Sequence, residues 1–361
     1  MKLTIFFLVL FFLLSTLSGK SQWTAVGAGV KLEEKASANI DAAATIRALA
    51  VYKGELYAGG IFKIAGDKPA SNIARWNGKE WNPVGSGTDG KVLSLCIYKD
   101  ELYVGGAFNQ AGGIASTNIA RWNGQSWSPV GEGTDSDVQA LSVYNNELYA
   151  GGDFTEAGGI AVKNIARWNG AAWLAAGHGT SNELFSLAEV GGELHAGGEM
   201  EVKDGEVVHN LFKWNGKRWA AEGDFDGEVR ALTVYNGKFI AGGAYGKVND
   251  EPFSFVTVQN DKIWQSIGTG IGSHTPTHHV SALLSVNNIL YIGGNFKSYF
   301  NDDHREANNV AQWDGTNWAN LGKGVNGDVY SLVLYNGEVY AAGSFTNAGE
   351  TAAFGIAKWK P

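Results

Sequence analysis

All 13 tryptophans of this 361-residue chain occupy two positions of one repeating unit. Residues 72–85 read NIARWNGKEWNPVG, and residues 118–131 and 164–177 repeat that pattern at a spacing of 46 residues. The first position holds Trp76, Trp122, Trp168, Trp214, Trp313 and Trp359, with Gln259 at the remaining site, and the second holds Trp23, Trp81, Trp127, Trp173, Trp219, Trp264 and Trp318. Such a period, lengthened only by local insertions, predicts an array of similar supersecondary units.

Each unit contains four short segments with the character of strands. In residues 137–177 these are DVQALSVY, NNELYAGGDF, NIARW and AAWLAAG, which are rich in β-branched and aromatic residues and punctuated by Gly and Asn. No segment shows a sustained helical period, so we predict an all-β chain. Four antiparallel strands in about 46 residues are typical of one blade of a β-propeller.

The first strand of the unit predicts the number of blades. Its third residue is always Ala or Ser and its fourth is always Leu. The seven pairs are Ala48-Leu49, Ser94-Leu95, Ala140-Leu141, Ser186-Leu187, Ala231-Leu232, Ala282-Leu283 and Ser331-Leu332. Neighbouring residues of a strand face opposite sides. A side that accepts only small groups indicates strands converging on an axis, with the leucines filling the layer between blades. We therefore predict a seven-bladed β-propeller.

The two chain ends predict how the array closes. The chain stops at residue 361, directly after a third strand, so the last blade lacks its fourth. Residues 23–27, with the sequence WTAVG, have the pattern of a fourth strand but precede the first complete unit. We expect this N-terminal strand to complete the last blade and to leave no gap between the first and last blades.

Residues 1–21 have the pattern of a secretory signal peptide. Lys2 precedes an apolar run from Ile5 to Leu14, too short to span a bilayer, and small polar residues follow. The prediction is a single propeller domain over residues 22–361 without a membrane span, exported to the periplasm, the cell surface or the medium, and monomeric. Cys96 is the only cysteine, so an internal disulfide is impossible in that oxidising setting.

The repeat also resembles a known family. The ELYAGG segment followed by WNGxxWxxVG is similar to kelch-type propeller repeats, in which a double glycine ends the second strand and a Trp follows at a fixed distance. The NIARWNG spelling resembles repeats of secreted bacterial propellers and of fungal cell-polarity cortical markers. The resemblance covers Trp23 to Trp359, with Ala342 and Gln259 as departures. It implies a fold shared by binding proteins and a few enzymes, among them galactose oxidase.

Charge and motifs argue against several classes of function. With 28 Lys and Arg against 36 Asp and Glu, the net charge is −8 and no basic stripe exists, so we expect no nucleic-acid binding. The GxGxxG runs at 85–90 and 322–327 join two strands, which does not suit a dinucleotide site, and no cofactor is predicted. Cys96 stands where other units have Ala or Ser, which disfavours the copper-radical chemistry of galactose oxidase. Without a nucleophile or acid–base motif, the sequence favours a non-enzymatic role and assigns no catalytic residue.

Connection lengths predict which face binds a ligand. Connections from first to second and from third to fourth strands are tight Asn-Gly-type turns, such as residues 145–146, 236–237 and 77–78. The other connections contain the FTEAGG-type loops and every insertion, at 27–45, 269–279 and 297–308. These loops share one face, and loops on a rigid scaffold commonly hold function.

At the mouth of the axis on this loop-rich face, seven residues begin the inner strands: Thr45, Lys91, Asp137, Glu183, Glu228, His279 and Asp328. Four are acidic and could hold a cation or steer a basic ligand, or they are ordinary turn-exit residues. Two loop clusters, one with His274, His278 and His279 and one with Asp302, Asp303 and His304, are either metal ligands or solvated loop groups. We assign no metal site and predict ligand binding by Asp137, Glu183, Glu228, His279, Asp328, His278 and His304.

Two functional hypotheses follow from this pattern. The first is an exported binding module that presents its loop-rich face to a protein or other ligand. The alternative is a lectin-like or carbohydrate-active propeller that binds glycans on the same face. The tryptophans either stack on sugars or pack blade against blade.

Overall fold

The computed structural model describes residues 22–32, 44–199, 210–253, 255–268, 270–271, 277–300 and 305–360, with the backbone alone for 298–300 and 305–306. The predicted signal peptide, residues 1–21, lies outside this part of the chain. All regular elements within it are β-strands, so the predicted all-β class is confirmed. No helix in these ranges is long and apolar enough to cross a membrane.

The described residues form seven antiparallel sheets of four strands each, here called sheets 1 to 7 in chain order of their first strands. The first strands are Thr45–Tyr52, Lys91–Tyr98, Val138–Tyr144, Leu184–Val190, Glu228–Tyr235, His279–Val286 and Val329–Tyr335. The second strands are Glu55–Ile61, Glu101–Ala107, Glu147–Gly152, Glu193–Gly198, Lys238–Ala244, Ile289–Phe300 and Glu338–Gly343. The third strands are Ile73–Trp76, Ile119–Trp122, Ile165–Trp168, Leu211–Trp214, Val256–Asn260, Arg305–Trp313 and Ile356–Lys360. The fourth strands are Trp81–Pro83, Trp127–Pro129, Trp173–Ala175, Trp219–Ala221, Ile263–Ser266, Trp318–Asn320 and, for sheet 7, Gln22–Ala25.

The N-terminal strand lies where the sequence predicts it. Gln22–Ala25 pairs antiparallel with Ile356–Lys360 and places Trp23 opposite Trp359. The rings of these two tryptophans are 5.3 Å apart between centroids. Sheet 7 is therefore assembled from both ends of the described chain.

Successive sheets contact one another through their first strands. Each first strand contacts the first strands of two neighbouring sheets, and the series returns from Val329–Tyr335 to Thr45–Tyr52. One cavity of about 250 Å³ is lined by residues of all seven first strands, and we call it the axial cavity. The convergence of seven strands on one space follows from this cycle of contacts.

The tryptophans join neighbouring sheets. Eleven of the 13 expose 8% or less of their surface. At all seven copies of the second position, the indole Nε1 donates to a backbone carbonyl of the preceding sheet, as in Trp81 to Val26 at 3.0 Å and Trp23 to Leu321 at 2.8 Å. This explains the strict register of the second position, because each of its tryptophans both fills apolar space and donates a hydrogen bond between sheets, whereas the buried Nε1 atoms of Trp122 and Trp168, at the first position, have no partner among the described residues.

A bulge in every first strand explains the double glycine. In sheet 1 the register shifts between Ile46 and Ala48, so Arg47 has no partner on the second strand, and the other six sheets repeat this shift. A Cβ on Gly60, the second glycine, would overlap the carbonyl oxygen of Thr45. The first glycine instead faces side chains of the next sheet in most units, as Gly59 faces Val92, which makes Ala342 possible in sheet 7.

The small residue after the bulge stands where the first strands converge, as predicted, and in three sheets it also bonds to the neighbouring sheet. The hydroxyl groups of Ser94 and Ser186 donate to backbone carbonyls of the next sheet, and Ser331 Oγ accepts from the Leu49 amide of sheet 1 at 3.1 Å. All seven small residues also line the axial cavity, where the first strands converge. The seven leucines of the repeat, assigned to the layer between sheets, also line the axial cavity.

The connections sort onto two faces as predicted. The tight turns lie on one face. A contact between two of them shows this, since Lys53 Nζ in one turn donates to the Asn123 carbonyl in another at 2.9 Å. On the opposite face the FTEAGG-type loops form small hairpins, with strand pairs Ile64–Ala65 and Lys68–Pro69, Gln110–Ala111 and Ile114–Ala115, Glu156–Ala157 and Ile160–Ala161, Lys247–Val248 and Glu251–Pro252, and Asn347–Ala348 and Thr351–Ala352. We call this the hairpin face. Val30–Lys31 joins the first of these hairpins as a third strand.

The insertion at 297–308 is not a loop over its described part. It lengthens the second and third strands of sheet 6 into a ribbon that pairs Lys297 with Asn308 and Phe300 with Arg305. Most of the insertion at 27–45 and of the one at 269–279 lies outside the described residues.

Candidate functional site

The axial cavity opens toward the hairpin face through residues near the start of the first strands. Six of the seven bulge residues line it: Arg47, Leu93, Phe185, Arg230, Ser281 and Tyr330. The seventh, Gln139, hydrogen-bonds Glu183 in the neighbouring sheet. A bulge re-aims its side chain out of the ladder, which here turns six of the seven bulge side chains toward one space.

Three of the four predicted acidic mouth residues have partners within the fold. Glu228 forms an ion pair with Arg230, and Glu183 accepts from the Gln139 amide. Asp328 accepts from Asn295 at 2.8 Å and from the Tyr330 hydroxyl at 2.9 Å. These carboxylates orient the bulge residues, and their charge is partly compensated.

The fourth acidic residue, Asp137, belongs to an acidic cluster on sheets 3 and 4. Burial raises the pKa of Glu183, and the negative charges of Asp153, Glu199 and Asp137 raise it further, against the Gln139 hydrogen bond. Asp153, Glu183 and Glu199 line a cleft of about 600 Å³. The cluster thus lies beside the axial cavity and not across it.

Of the predicted histidines, His278 and His279 lie within the described residues, and their side chains meet different neighbours. His279 is half-buried between two sheets, and burial, followed by the positive charge of Arg230, lowers its pKa, while Asp328 opposes the shift. His278 packs its ring against Phe255 at 6.1 Å between centroids. His304, His274, Asp302 and Asp303 lie outside the described residues.

Within the described ranges, no three side chains of His, Cys, Asp or Glu approach closely enough to share a metal ion. Cys96 is also unsuited to chemistry in its folded environment, because burial raises the pKa of its thiol to about 12. A thiol with that pKa remains protonated and weakly nucleophilic near neutral pH.

Sequence reasoning missed the bulge residues. Arg47 is exposed, and its Cζ lies 3.9 Å from the centroid of the Tyr330 ring. Arg230 lies 5.9 Å from the Phe185 ring. The sequence does contain a pattern that marks them. The bulge position differs widely from unit to unit, while the residue before it is always aliphatic and the residue after it is always Ala or Ser.

Comparison with known proteins gives structural likeness without a family. No family model and no curated protein matches the chain. The computationally designed Ika8 protein matches with a TM-score of 0.54 and 16% identity over 94% of this chain and 99% of its own.

Two further solved structures come from B. thetaiotaomicron. The extracellular domain of the putative one component system BT4673 matches with a TM-score of 0.58 and 9% identity over 94% of this chain. The extracellular domain of the putative hybrid two component system BT4673 matches with a TM-score of 0.55 and 10% identity. The present chain spans 40% and 39% of those two chains. At such identities the likeness concerns the fold alone, which is β-propeller-like.

Proposed function

We propose that this protein is an exported, kelch-like seven-bladed β-propeller that binds a ligand at the axial cavity and the hairpin face around it. In this proposal each four-stranded sheet is a blade, and Gln22–Ala25 is the strand that latches the ring. The seven sheets, the cycle of contacts between first strands and the shared cavity support this architecture.

One observation carries the binding function. In the first strands, the position before the bulge is always a buried aliphatic residue and the position after it is always Ala or Ser. Between them the bulge residue is Arg, Leu, Gln, Phe, Arg, Ser or Tyr, and six of these line one cavity. A repeated frame that displays six residue types at one position is suited to recognising one particular ligand.

Export rests on two further observations. Residues 1–21 have the composition of a signal peptide. The two BT4673 structures are extracellular domains and match over nearly the whole of this chain, which supports the same setting here.

A site-specific photo-crosslinking experiment tests the binding face. A benzophenone side chain placed at Ser281, in the cavity lining, should capture a partner from the cell envelope or medium. The same group at Asn236, in an exposed tight turn of the opposite face, should capture none. Equal capture from both positions, or capture from Asn236 alone, would contradict the assignment of the face.

A glycan ligand is the second candidate, because Phe185 and Tyr330 offer aromatic surface in the cavity lining. Sugar rings stack on such surfaces. Binding to a glycan array that is lost in both Phe185→Ala and Tyr330→Ala variants would favour the lectin-like role. The buried tryptophans are not available for this stacking.

A further inference from the structure

The axial cavity has two chemically distinct zones. Beyond the mouth its lining contains one leucine from each sheet and the Ala or Ser that precedes each of them; the leucines are Leu49, Leu95, Leu141, Leu187, Leu232, Leu283 and Leu332. The bulge residues stand two positions nearer the start of each strand and therefore nearer the hairpin face, and they include Arg47, Arg230, Phe185 and Tyr330. The leucine side chains thus lie below a mouth that contains two guanidinium groups.

The two arginines differ in whether a carboxylate pairs with the guanidinium group. Arg230 forms an ion pair with Glu228 of its own strand. Arg47 has no carboxylate of the described residues within 4.0 Å, and its guanidinium stacks on the Tyr330 ring. The Tyr330 hydroxyl in turn donates to Asp328, which holds the ring in place. Arg47 therefore presents an oriented planar fork, the geometry that binds a carboxylate in a bidentate manner.

From these two zones we propose that the axial cavity binds an aliphatic monocarboxylate, with its carboxylate on Arg47 and its chain among the seven leucines. The inference rests on the proposed function, because it places the ligand at the same mouth. A cavity of about 150 Å³ holds a six-carbon benzene ring. The axial cavity, at about 250 Å³, has room for a chain of about ten carbons by the same proportion.

Isothermal titration calorimetry with straight-chain carboxylates tests the proposal on the mature protein. Each buried methylene should tighten binding by about three- to fourfold, so decanoate should bind roughly tenfold more tightly than octanoate. Decanol and decylamine should bind at least tenfold more weakly than decanoate, because neither has a carboxylate for Arg47. Equal affinities for decanoate and decanol would overturn the role of Arg47.

Variants separate a specific site from general charge attraction. Arg47→Gln should weaken decanoate binding at least tenfold and leave decanol binding unchanged. Arg47 is exposed, so this variant should fold, and its melting temperature checks that. Lys238→Gln removes an exposed positive charge on the tight-turn side and serves as the matched control. Equal loss in the two variants would overturn the proposal.

The outcomes distinguish this inference from the proposed function. If no carboxylate binds while Ser281 still captures a partner, the ligand class is wrong and the binding face stands. If a peptide with a free apolar C-terminus binds and decanoate does not, the carboxylate belongs to a peptide and the aliphatic monocarboxylate is overturned. If neither carboxylates nor crosslinks are found, both proposals fail.

Discussion

At the scale of single residues, the second glycine of each pair is the most constrained position of the repeat. A Cβ at Gly106 would overlap the carbonyl oxygen of Lys91 on the adjacent first strand, which is backbone and cannot rotate away. We expect Gly106→Ala to lower the free energy of unfolding by at least ~2 kcal/mol, as overpacking does in closely packed sites. Urea denaturation of the purified variant measures this loss.

The first glycine position provides the control for that substitution. Ala342 already occupies it in sheet 7 and is fully buried. Ala342→Gly removes one methyl group and should cost no more than ~1 kcal/mol. If Gly106→Ala proves as mild as Ala342→Gly, the backbone clash is not what selects the second glycine.

His195 should make stability depend on pH. It is buried at a position that is Tyr in five other sheets, and burial lowers its pKa below the ordinary 6.5. Below pH 6.5 His195 becomes protonated in the unfolded chain, while in the folded chain it stays neutral until the pH reaches its lower pKa. Stability should therefore fall as the pH drops from about 6.5 through the folded pKa, by up to ~1.4 kcal/mol per pH unit, and level off below it.

Two exchanges isolate the contribution of His195. His195→Tyr, which restores the residue of the other sheets, should remove this part of the pH dependence. Tyr103→His, at the equivalent buried position of sheet 2, should introduce it. Unfolding curves at pH 5 and pH 8 compare the three proteins, and an unchanged slope in His195→Tyr would assign the dependence to another group.

At the scale of elements, the N-terminal strand should stabilise the fold as much as any other fourth strand. Trp23→Phe and Trp81→Phe each remove one indole-to-carbonyl hydrogen bond between sheets. Each variant should lose about 1 kcal/mol of unfolding free energy. A loss in Trp81→Phe without one in Trp23→Phe would mean that the N-terminal strand is not docked in solution.

Deletion of the whole strand should cost far more than either substitution. Removal of residues 22–28 takes away the ladder with Ile356–Lys360 and the buried surface of Trp23, and it exposes Trp359. We expect a sharp fall in the melting temperature, because loss of a buried tryptophan alone costs ~3–5 kcal/mol. An unchanged melting curve would contradict the proposal that the N-terminal strand closes the ring by pairing with Ile356–Lys360.

At the scale of the whole molecule, the proposed ring predicts a compact particle. For the 340 residues that remain of 361 after removal of residues 1–21, the radius of gyration should be about 20 Å. Small-angle X-ray scattering measures this radius and the mass together. A much larger radius with a monomeric mass would indicate an open array, and a doubled mass would contradict the expected monomer.

The candidate site could be predicted from the sequence only in part. Aligning the seven units identifies the seven residues at the mouth, and the sequence shows directly that four of them are acidic: Asp137, Glu183, Glu228 and Asp328. The hydrogen-bond partners of these residues cannot be predicted in this way, because a partner such as Gln139, which bonds Glu183, lies in the neighbouring sheet. Arg47 and Tyr330 are 283 residues apart and meet only because the first and seventh sheets are neighbours.

The sequence alone determined the strand class, the number of units and the partner of the N-terminal strand. These follow from local periodicity and from a pattern repeated seven times, so each unit checks the others. Tertiary structure decided which side chains face the cavity, because a single unpaired residue in each first strand reverses the alternation that a sequence pattern assumes. It also decided the surroundings of the mouth carboxylates, since Glu183 and Asp328 accept hydrogen bonds from side-chain amides of neighbouring sheets, and no local pattern encodes the distance between sheets.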